Sequence, residues 1–342
     1  MSDLPKIGID IGTKTIKLVE LVPAGHGKWR MTSAASMPTP GGPLVGNAGN
    51  AAVISNALIK IIKEMGARSR RVVASLPEDE VSSHVVEMPA MNDDEVKQAL
   101  QWQVEQYIPI PADKAVWSHQ IIRKDQSGGG MEVLLAAVPK NLVNLYTQVI
   151  EGAGLEVLAL ETELMATARA VISEDNPLAL IVDIGAKGTD MGIVNRGQMV
   201  FSRTISAAGE AFTRAVETSL GLDTATAEMY KGTYGFSPDK LEGKLLEAMK
   251  PVLTIVANEI KKTIDFYSSK HAGEVVKMVV LSGGVASLPD IVGILSGLVG
   301  VEMVIGNPFA KVAMDKDLLK SVSGMAPFYT VAVGLAMRPA QS

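Results

Sequence analysis

The sequence predicts an α/β fold of two related halves with a small inserted α+β subdomain. Three features carry this. A strand, a glycine turn and a second strand occur together twice, about half the chain apart. The elements around the first copy run β-β-β-α-β. A stretch of different character, opened by Pro77, interrupts the first half.

The first copy is Ile7-Gly-Ile-Asp-Ile-Gly-Thr-Lys-Thr-Ile-Lys-Leu-Val-Glu20. Ile7, Ile9 and Ile11 alternate with smaller or polar residues, and a β-branched apolar run resumes at Thr15. Gly12, Thr13 and Lys14 form the turn. Glycine allows a sharp bend and a close ligand approach, and successive N–H groups in such a turn make an anion-binding nest. Asp10 ends the first strand, where a carboxylate can organise a cation. The second copy, Leu180-Ile-Val-Asp-Ile-Gly-Ala-Lys-Gly-Thr-Asp-Met-Gly-Ile-Val194, repeats the design with Asp183, Gly185, Gly188, Thr189 and Asp190. Recurrence of the whole unit points to duplicated halves. A third glycine turn, Gly283-Gly284, follows an apolar strand. Together the three suit a nucleotide lying between the halves. Two turns would hold its phosphates, the third would support the adenosine, and Asp10 and Asp183 would hold magnesium through its waters.

Length and composition fit this reading. The 342 residues suffice for two domains with cores of their own. With 47% hydrophobic and 20% charged residues the chain is a folded one. A net charge of −5 gives no basic balance for nucleic acid. Absence of cysteine excludes disulfides, thiol catalysis and Cys-ligated zinc, and suits the cytoplasm. His26, His84, His119 and His271 lack metal-ligand spacing. The polar start, Met1 to Lys6, carries no signal peptide, and the apolar window from Ile291 to Val301 is too short to span a bilayer, which takes roughly 20 residues. No direct membrane insertion is expected, so a membrane role would come through a partner.

In chain order, strands are expected at Trp29 to Met37 and Arg71 to Leu76, with a helix between them capped by Asn50 and ended by Gly66. In the insert, Val81 to Met88 is a strand. A helix with the capping box Asn92–Glu95 runs to Tyr107, and a hairpin pairs Ala115 to Ile122 with Met131 to Val138 across a flexible glycine-rich tip. A helix over Lys140 to Ala153, a strand over Glu156 to Leu160 and a helix from Glu161 to Ile172 return to the main fold. The predicted division is 1–76 with 140–175 as first half, 77–139 as insert and 176–342 as second half. In the last, Asp223 caps a helix, Pro251 kinks or breaks a long helical stretch, and Pro327 to Met337 closes the chain as a helix.

Asp10-Ile-Gly-Thr, Asp183-Ile-Gly-Ala-Lys-Gly-Thr-Asp190 and Leu281-Ser-Gly-Gly-Val-Ala-Ser-Leu-Pro289 resemble the two phosphate motifs and the adenosine motif of the actin-like ATPase superfamily. Over essentially its full length the chain resembles, within it, the PilM family of type IV pilus assembly. Supporting stretches are Ala99-Leu-Gln-Trp-Gln-Val-Glu-Gln-Tyr-Ile-Pro109, Gly209-Glu210 and Glu259-Ile-Lys-Lys-Thr-Ile-Asp-Phe-Tyr267. The resemblance implies an actin-like fold, two ribonuclease-H-like halves closing on ATP and Mg2+. Gly12, Thr13, Lys14 and Lys17 would contact phosphates from one side, and Gly185, Gly188 and Thr189 from the other. Gly209, Glu210, Glu259, Lys262, Gly283, Gly284 and Ser287 would line the nucleoside side. Glu161 or Glu163 would orient the attacking water, unless either is simply a first-turn acid favoured by the helix dipole. Lys187 stands where many relatives carry a small residue, which argues against fast turnover.

The resemblance further implies a cytoplasmic scaffold at the inner membrane. It would dock the short N-terminal tail of the inner-membrane protein PilN, and would meet other inner-membrane pilus components. The insert offers strand edges and a helix with Trp102 and Tyr107 beside Leu100 and Val104, and the groove between insert and first half is the expected docking site. Two alternatives are a small-molecule kinase of the same superfamily, for which no substrate constellation is visible, and an FtsA-like division protein. The latter usually ends in a membrane-binding helix unlike Arg338-Pro-Ala-Gln-Ser342.

Overall fold

A computed structural model describes residues 4–25, 27–124, 130–173 and 177–339. The expectations for His26, for part of the 124–130 hairpin tip and for the last three residues fall outside this set. The chain opens with an antiparallel meander, β1 (Lys6–Ile11), β2 (Thr15–Gly25) and β3 (Lys28–Pro38). Helix α1 (Ala51–Met65) leads to β4 (Arg71–Leu76), parallel to β1. It buries Ile54, Leu58, Ile61 and Ile62 at helical spacing and ends on Gly66, at φ 67°. The insert comprises β5 (Ser82–Met88), α2 (Asp93–Tyr107), β6 (Ala115–Lys124) and β7 (Met131–Pro139). Both halves of the Asn92–Glu95 capping box form. The chain then runs through α3 (Lys140–Gly152), β8 (Glu156–Thr162) and α4 (Glu163–Val171).

The second half repeats the meander as β9 (Leu178–Ile184), β10 (Thr189–Asn195) and β11 (Gln198–Ile205). Helices α5 (Gly209–Leu220), α6 (Thr224–Tyr234) and α7 (Lys244–Lys270) precede β12 (Met278–Ser282), α8 (Ile291–Val299) and β13 (Glu302–Ile305). Finally come β14 (Val312–Ala313), α9 (Lys316–Val322) and α10 (Thr330–Ala336). Strand orders are β14-β3-β2-β1-β4-β8 and β11-β10-β9-β12-β13, with β5-β7-β6 in the insert. Leaving out β14, the two large sheets share one plan: a three-strand meander whose first strand also pairs in parallel with the next strand outward. Each half and the insert has its own apolar core.

Several expectations are corrected. Asn50 precedes α1 without capping it; its amide donates to the Gly41 and Gly42 carbonyls. Pro251 lies inside a continuous α7. Glu161 is on strand β8, not on a helix, because the Thr162 hydroxyl caps α4 by accepting from the Met165 N–H. The end of the chain leaves the second half: β14 joins the first sheet, and α10 packs on β1, β2, β4 and α4. That approach needs Gly334, where a Cβ would lie 1.9 Å from the Ala166 carbonyl oxygen. The stretch Lys316–Ala336 has the length and hydropathy of a membrane span. It is broken by Pro327 and a non-helical Met325, and every residue of α10 is buried, so its apolarity serves the core. In the insert, Leu100 and Val104 pack the core while Trp102 is 87% exposed.

Candidate nucleotide cleft

The two hairpins and the Gly283 turn converge on one cavity of about 440 Å³ between the large sheets. The first turn is closed by Gly12 N–H donating to Thr15 O at 3.1 Å, and Thr39, at the end of β3, donates its hydroxyl to Gly12 O at 2.6 Å. The second is closed by Gly185 N–H to Gly188 O at 2.9 Å. Gly209 and Glu210 N–H, opening α5, donate to Gly185 O and Ala186 O at 3.0 and 2.8 Å. The start of α5 therefore holds the turn in place. Gly283, at φ 84°, admits no side chain: a Cβ there would lie 2.5 Å from Ile184 O and 2.6 Å from Asp183 Oδ1.

Most expected residues meet here. Asp10, Gly12, Thr13, Lys14, Lys17, Glu163, Asp183, Gly185, Gly188, Gly209, Gly283 and Gly284 all line the cavity. Six do not. Thr189 is buried and donates its hydroxyl to Ala207 O at 2.6 Å. Glu210 faces Arg214 at 3.8 Å, and Ser287 is exposed outside the cavity. Glu259 pairs with Lys262 and Arg203, each at 2.7 Å, away from the cleft. Glu161 is buried under Arg169, with contacts of 2.6 and 2.8 Å, and under Arg338. It cannot reach a nucleotide.

The cavity instead carries Glu228 and Lys231 of α6. They have the same Glu-x-x-Lys spacing as Glu259 and Lys262, so the pattern was visible, but only packing separates the two copies. Lys231 is buried and donates to Gly209 O, Thr213 Oγ1 and Glu228 Oε2. Burial lowers its pKa, and Glu228 opposes this. Lys14 of the first half reaches Glu228 of the second across the cavity at 3.8 Å.

The deep end is acidic. Asp10 is met by Lys17 at 2.8 Å. Burial disfavours the Lys17 ammonium, but the attraction and hydrogen bond of Asp10 outweigh it and hold the pKa above the ordinary lysine value. Burial pushes Asp183 up to about 6, and its Oδ2 has no hydrogen-bond partner among the described residues. Glu163 is pushed well up by burial and by the charges of Asp10, Asp190 and Asp183, and Asp190 by burial and by Glu78 and Asp183. Among the described residues no three such side chains are grouped to ligate a metal directly. The unpartnered Asp183 oxygen beside like charges still suits a hydrated divalent cation, and magnesium keeps most of its water.

A family profile described as type IV pilus assembly protein PilM matches residues 8–340. A solved PilM-PilN type IV pilus biogenesis complex contains a chain 26% identical, with a TM-score of 0.83, over 98% of this chain and 99% of that one. MreB 5 of Spiroplasma citri bound to AMPPNP shares the fold at 14% identity and a TM-score of 0.52, covering 96% and 94%. Cell division protein FtsA of Enterococcus hirae is 23% identical over 87% of this chain and 77% of its own length. With its duplicated sheets closing on a cleft in the actin-like manner, and with the profile matched almost end to end, the chain belongs to the PilM family of type IV pilus assembly proteins.

Proposed function

We propose that this chain is a nucleotide-dependent scaffold that holds ATP and magnesium between its halves and docks the cytoplasmic N-terminal tail of a PilN-type inner-membrane protein. It would work in the cytoplasm, at the inner membrane, through that partner. The observation that carries the reading is the convergence on one cleft of three glycine turns and buried Asp183, whose Oδ2 has no hydrogen-bond partner among the described residues. The Gly12 and Gly185 turns, with Lys14, would take the phosphates, and Glu228 would accept from ribose hydroxyls. Asp10 and Asp183 would hold magnesium through water; the metal would supply charge neutralisation of the phosphates. Glu163 stands nearest in role to a water-orienting base. Burial and the neighbouring acids disfavour the ionised form of this carboxyl, the form that would orient water, which supports slow turnover.

Docking is supported by a second cavity, of about 850 Å³, on the other side of α4. Gln120 of the insert, Met165, Ala168 and Ile172 in and beyond α4, and Arg196 and Met199 of the second half line it. An apolar floor with arginine donors at the rim suits an extended segment, whose side chains would bury while its carbonyls accept hydrogen bonds. This cavity meets the insert only at Gln120 and is therefore a different place from the groove expected between insert and first half. Calorimetry tests both parts. ATP should bind only with magnesium and be lost in Asp183→Ala, and a synthetic tail peptide should bind the wild type. Full ATP affinity in a folded Asp183→Ala protein would remove the clamp.

A further inference from the structure

The first sheet ends, opposite the cleft, in a row of cations. Strand β1 runs from Lys6 to the turn at Gly12, so Lys6 marks the far end of the sheet. Register sets its neighbours there. Arg71 opens β4 one step before Val72, which pairs with Ile7. On the other side Lys6 pairs with Leu21, and β2 runs on past it to Gly25 before β3 returns through Lys28, Trp29 and Arg30. Strand β14 joins β3 with Val312 opposite Trp29, which puts Lys311 at the same end. From β14 to β4 the row spans about 19 Å at the usual spacing of neighbouring strands.

These cations are presented to solvent rather than paired. Lys28, Arg30, Arg68, Arg70 and Lys311 are exposed, and among the described residues none of the five has an acidic partner. The acids at this end are engaged. Glu20 is buried and accepts the Arg68 and Ser69 N–H groups at 2.8 and 2.7 Å. Ser69 donates its hydroxyl to Pro5 O at 2.8 Å. These bonds pin the backbone before β4 to the sheet and leave the Arg68 and Arg70 side chains free. Glu156 faces Arg71 at 3.9 Å, and Glu161 is buried under Arg169 and Arg338. Lys6, with Nζ 5.6 Å from the Trp29 ring centre, feels the excess: burial and then the charges of Arg71, Arg169 and Arg338 lower its pKa, against the attraction of Glu161. In a chain of net charge −5 this end reverses the overall sign.

We propose that this row binds the anionic headgroups of a lipid bilayer and turns the end of the first sheet toward the membrane, with no segment inserted. The choice of a bilayer rests on the docking proposed above. Arg169 and Arg338, whose charges reach Lys6, also line the second cavity. The short tail of a membrane protein reaches that cavity only when its mouth lies close to the bilayer, and the neighbouring row then meets the lipid. Guanidinium groups take phosphate oxygens in a bidentate fork. The acidic remainder of the surface is repelled by the same lipids, so the contact orients the protein as well as attracting it.

The test is co-sedimentation of the full chain with mixed phosphatidylglycerol–phosphatidylcholine vesicles and with pure phosphatidylcholine vesicles, without tail peptide. The protein should partition onto the anionic vesicles alone, and less so as salt is raised. Arg68→Ser with Arg70→Ser should cut this partition about twentyfold or more, two charges at roughly fivefold each. Lys28→Ser with Arg30→Ser, at the other side of the row, should do the same. Lys97→Ser with Lys261→Ser removes the same charge from exposed positions elsewhere and should leave the partition within about twofold of wild type. Equal binding to both kinds of vesicle, wild-type partition in the two row variants, or an equal loss in the Lys97 and Lys261 variant would overturn the proposal. Tighter binding to a duplex oligonucleotide than to the anionic vesicles would give the row to nucleic acid and overturn it too. Because no peptide is present, these outcomes leave tail docking to its own calorimetry.

Discussion

Asp10 and Lys17 are register partners across β1 and β2, with Lys17 Nζ 2.8 Å from Asp10 Oδ2. The equivalent partners of the second hairpin, Asp183 and Asp190 across β9 and β10, are both acids. The duplicated unit has thus kept its backbone and changed its charge, neutral in one copy and doubly acidic in the other. Lys17 also lies over the Phe328 ring at 4.8 Å. Lys17→Met would leave Asp10, 3% exposed, buried without its cation. Breaking a buried pair costs roughly 3–5 kcal/mol, toward the lower end here because Lys17 keeps some contact with solvent. Urea denaturation should register that loss, and Asp10→Asn added to Lys17→Met should recover most of it. A single-variant loss below about 1 kcal/mol would class the pair with ordinary surface bridges.

Gly283 and Gly284 are neighbours with opposite tolerance. A Cβ at Gly283 meets Ile184 O and Asp183 Oδ1 within 2.6 Å at a left-handed φ, whereas one at Gly284 meets nothing within 4 Å. Gly283→Ala should lower the melting temperature and weaken nucleotide binding by about tenfold or more, since backbone at φ 84° and ψ 175° is a region essentially reserved for glycine and costs a residue with Cβ on the order of 1–3 kcal/mol. Gly284→Ala should melt as the wild type does. Equal melting of the two variants would mean that the Gly283 turn yields without consequence.

Glu78, 6% exposed, has its carboxyl pushed up to about 7 by burial, against hydrogen bonds from Leu164, Thr162 and Ser202. Its unfolded value is about 4.5. Between these values the folded protein holds the proton and the unfolded chain does not, so this group makes stability fall as pH rises from about 4.5 to 7. The penalty is complete above that window and absent below it. Its size is on the order of 3 kcal/mol. Glu78→Gln should therefore stabilise the protein at pH 8 and change little near pH 4.5. Melting curves of variant and wild type that keep a constant separation across this range would contradict the assignment.

The parts of the fold and site legible in the sequence were those fixed by local chemistry. Alternating isoleucines before Gly12, the same pattern before Gly185, and the Asn92–Glu95 box each state their own geometry. What stayed hidden was decided by packing at long range. Glu228 and Glu259 each precede a lysine by three residues on a helix, and nothing local tells which pair faces the cleft and which faces Arg203. The return of α10 to the first half depends on close approach of Gly334 to Ala166 in α4 and of Ala332 to Gly8 in β1, the latter pair more than 300 residues apart in sequence. Asn50 looked like a cap because its side chain can serve as one; here it ties down the Gly41–Gly42 loop instead.

Glu161 and Glu163 are two residues apart and would share a face if the strand continued. Thr162 ends the strand and caps α4, which sends Glu161 to Arg169 and Arg338 and Glu163 into the cleft. Their glutamine variants should therefore behave oppositely. Glu161→Gln strips the charge from a carboxylate, 2% exposed at its side chain, that serves two guanidinium groups. It should cost about 3 kcal/mol or more of stability and leave AMPPNP affinity within about twofold of wild type. Glu163→Gln removes one of the like charges crowding Asp10, Asp183 and Asp190 and should stabilise the nucleotide-free protein at pH 8. Any phosphate release from ATP should fall in this variant and persist in the other, after correction for folded fraction. Thermal melts and a phosphate-release assay on both proteins decide the matter. If Glu161→Gln abolished turnover while remaining fully folded, Glu161 would have to reach the cleft in a conformation other than this one, and the division of labour set by Thr162 would be wrong.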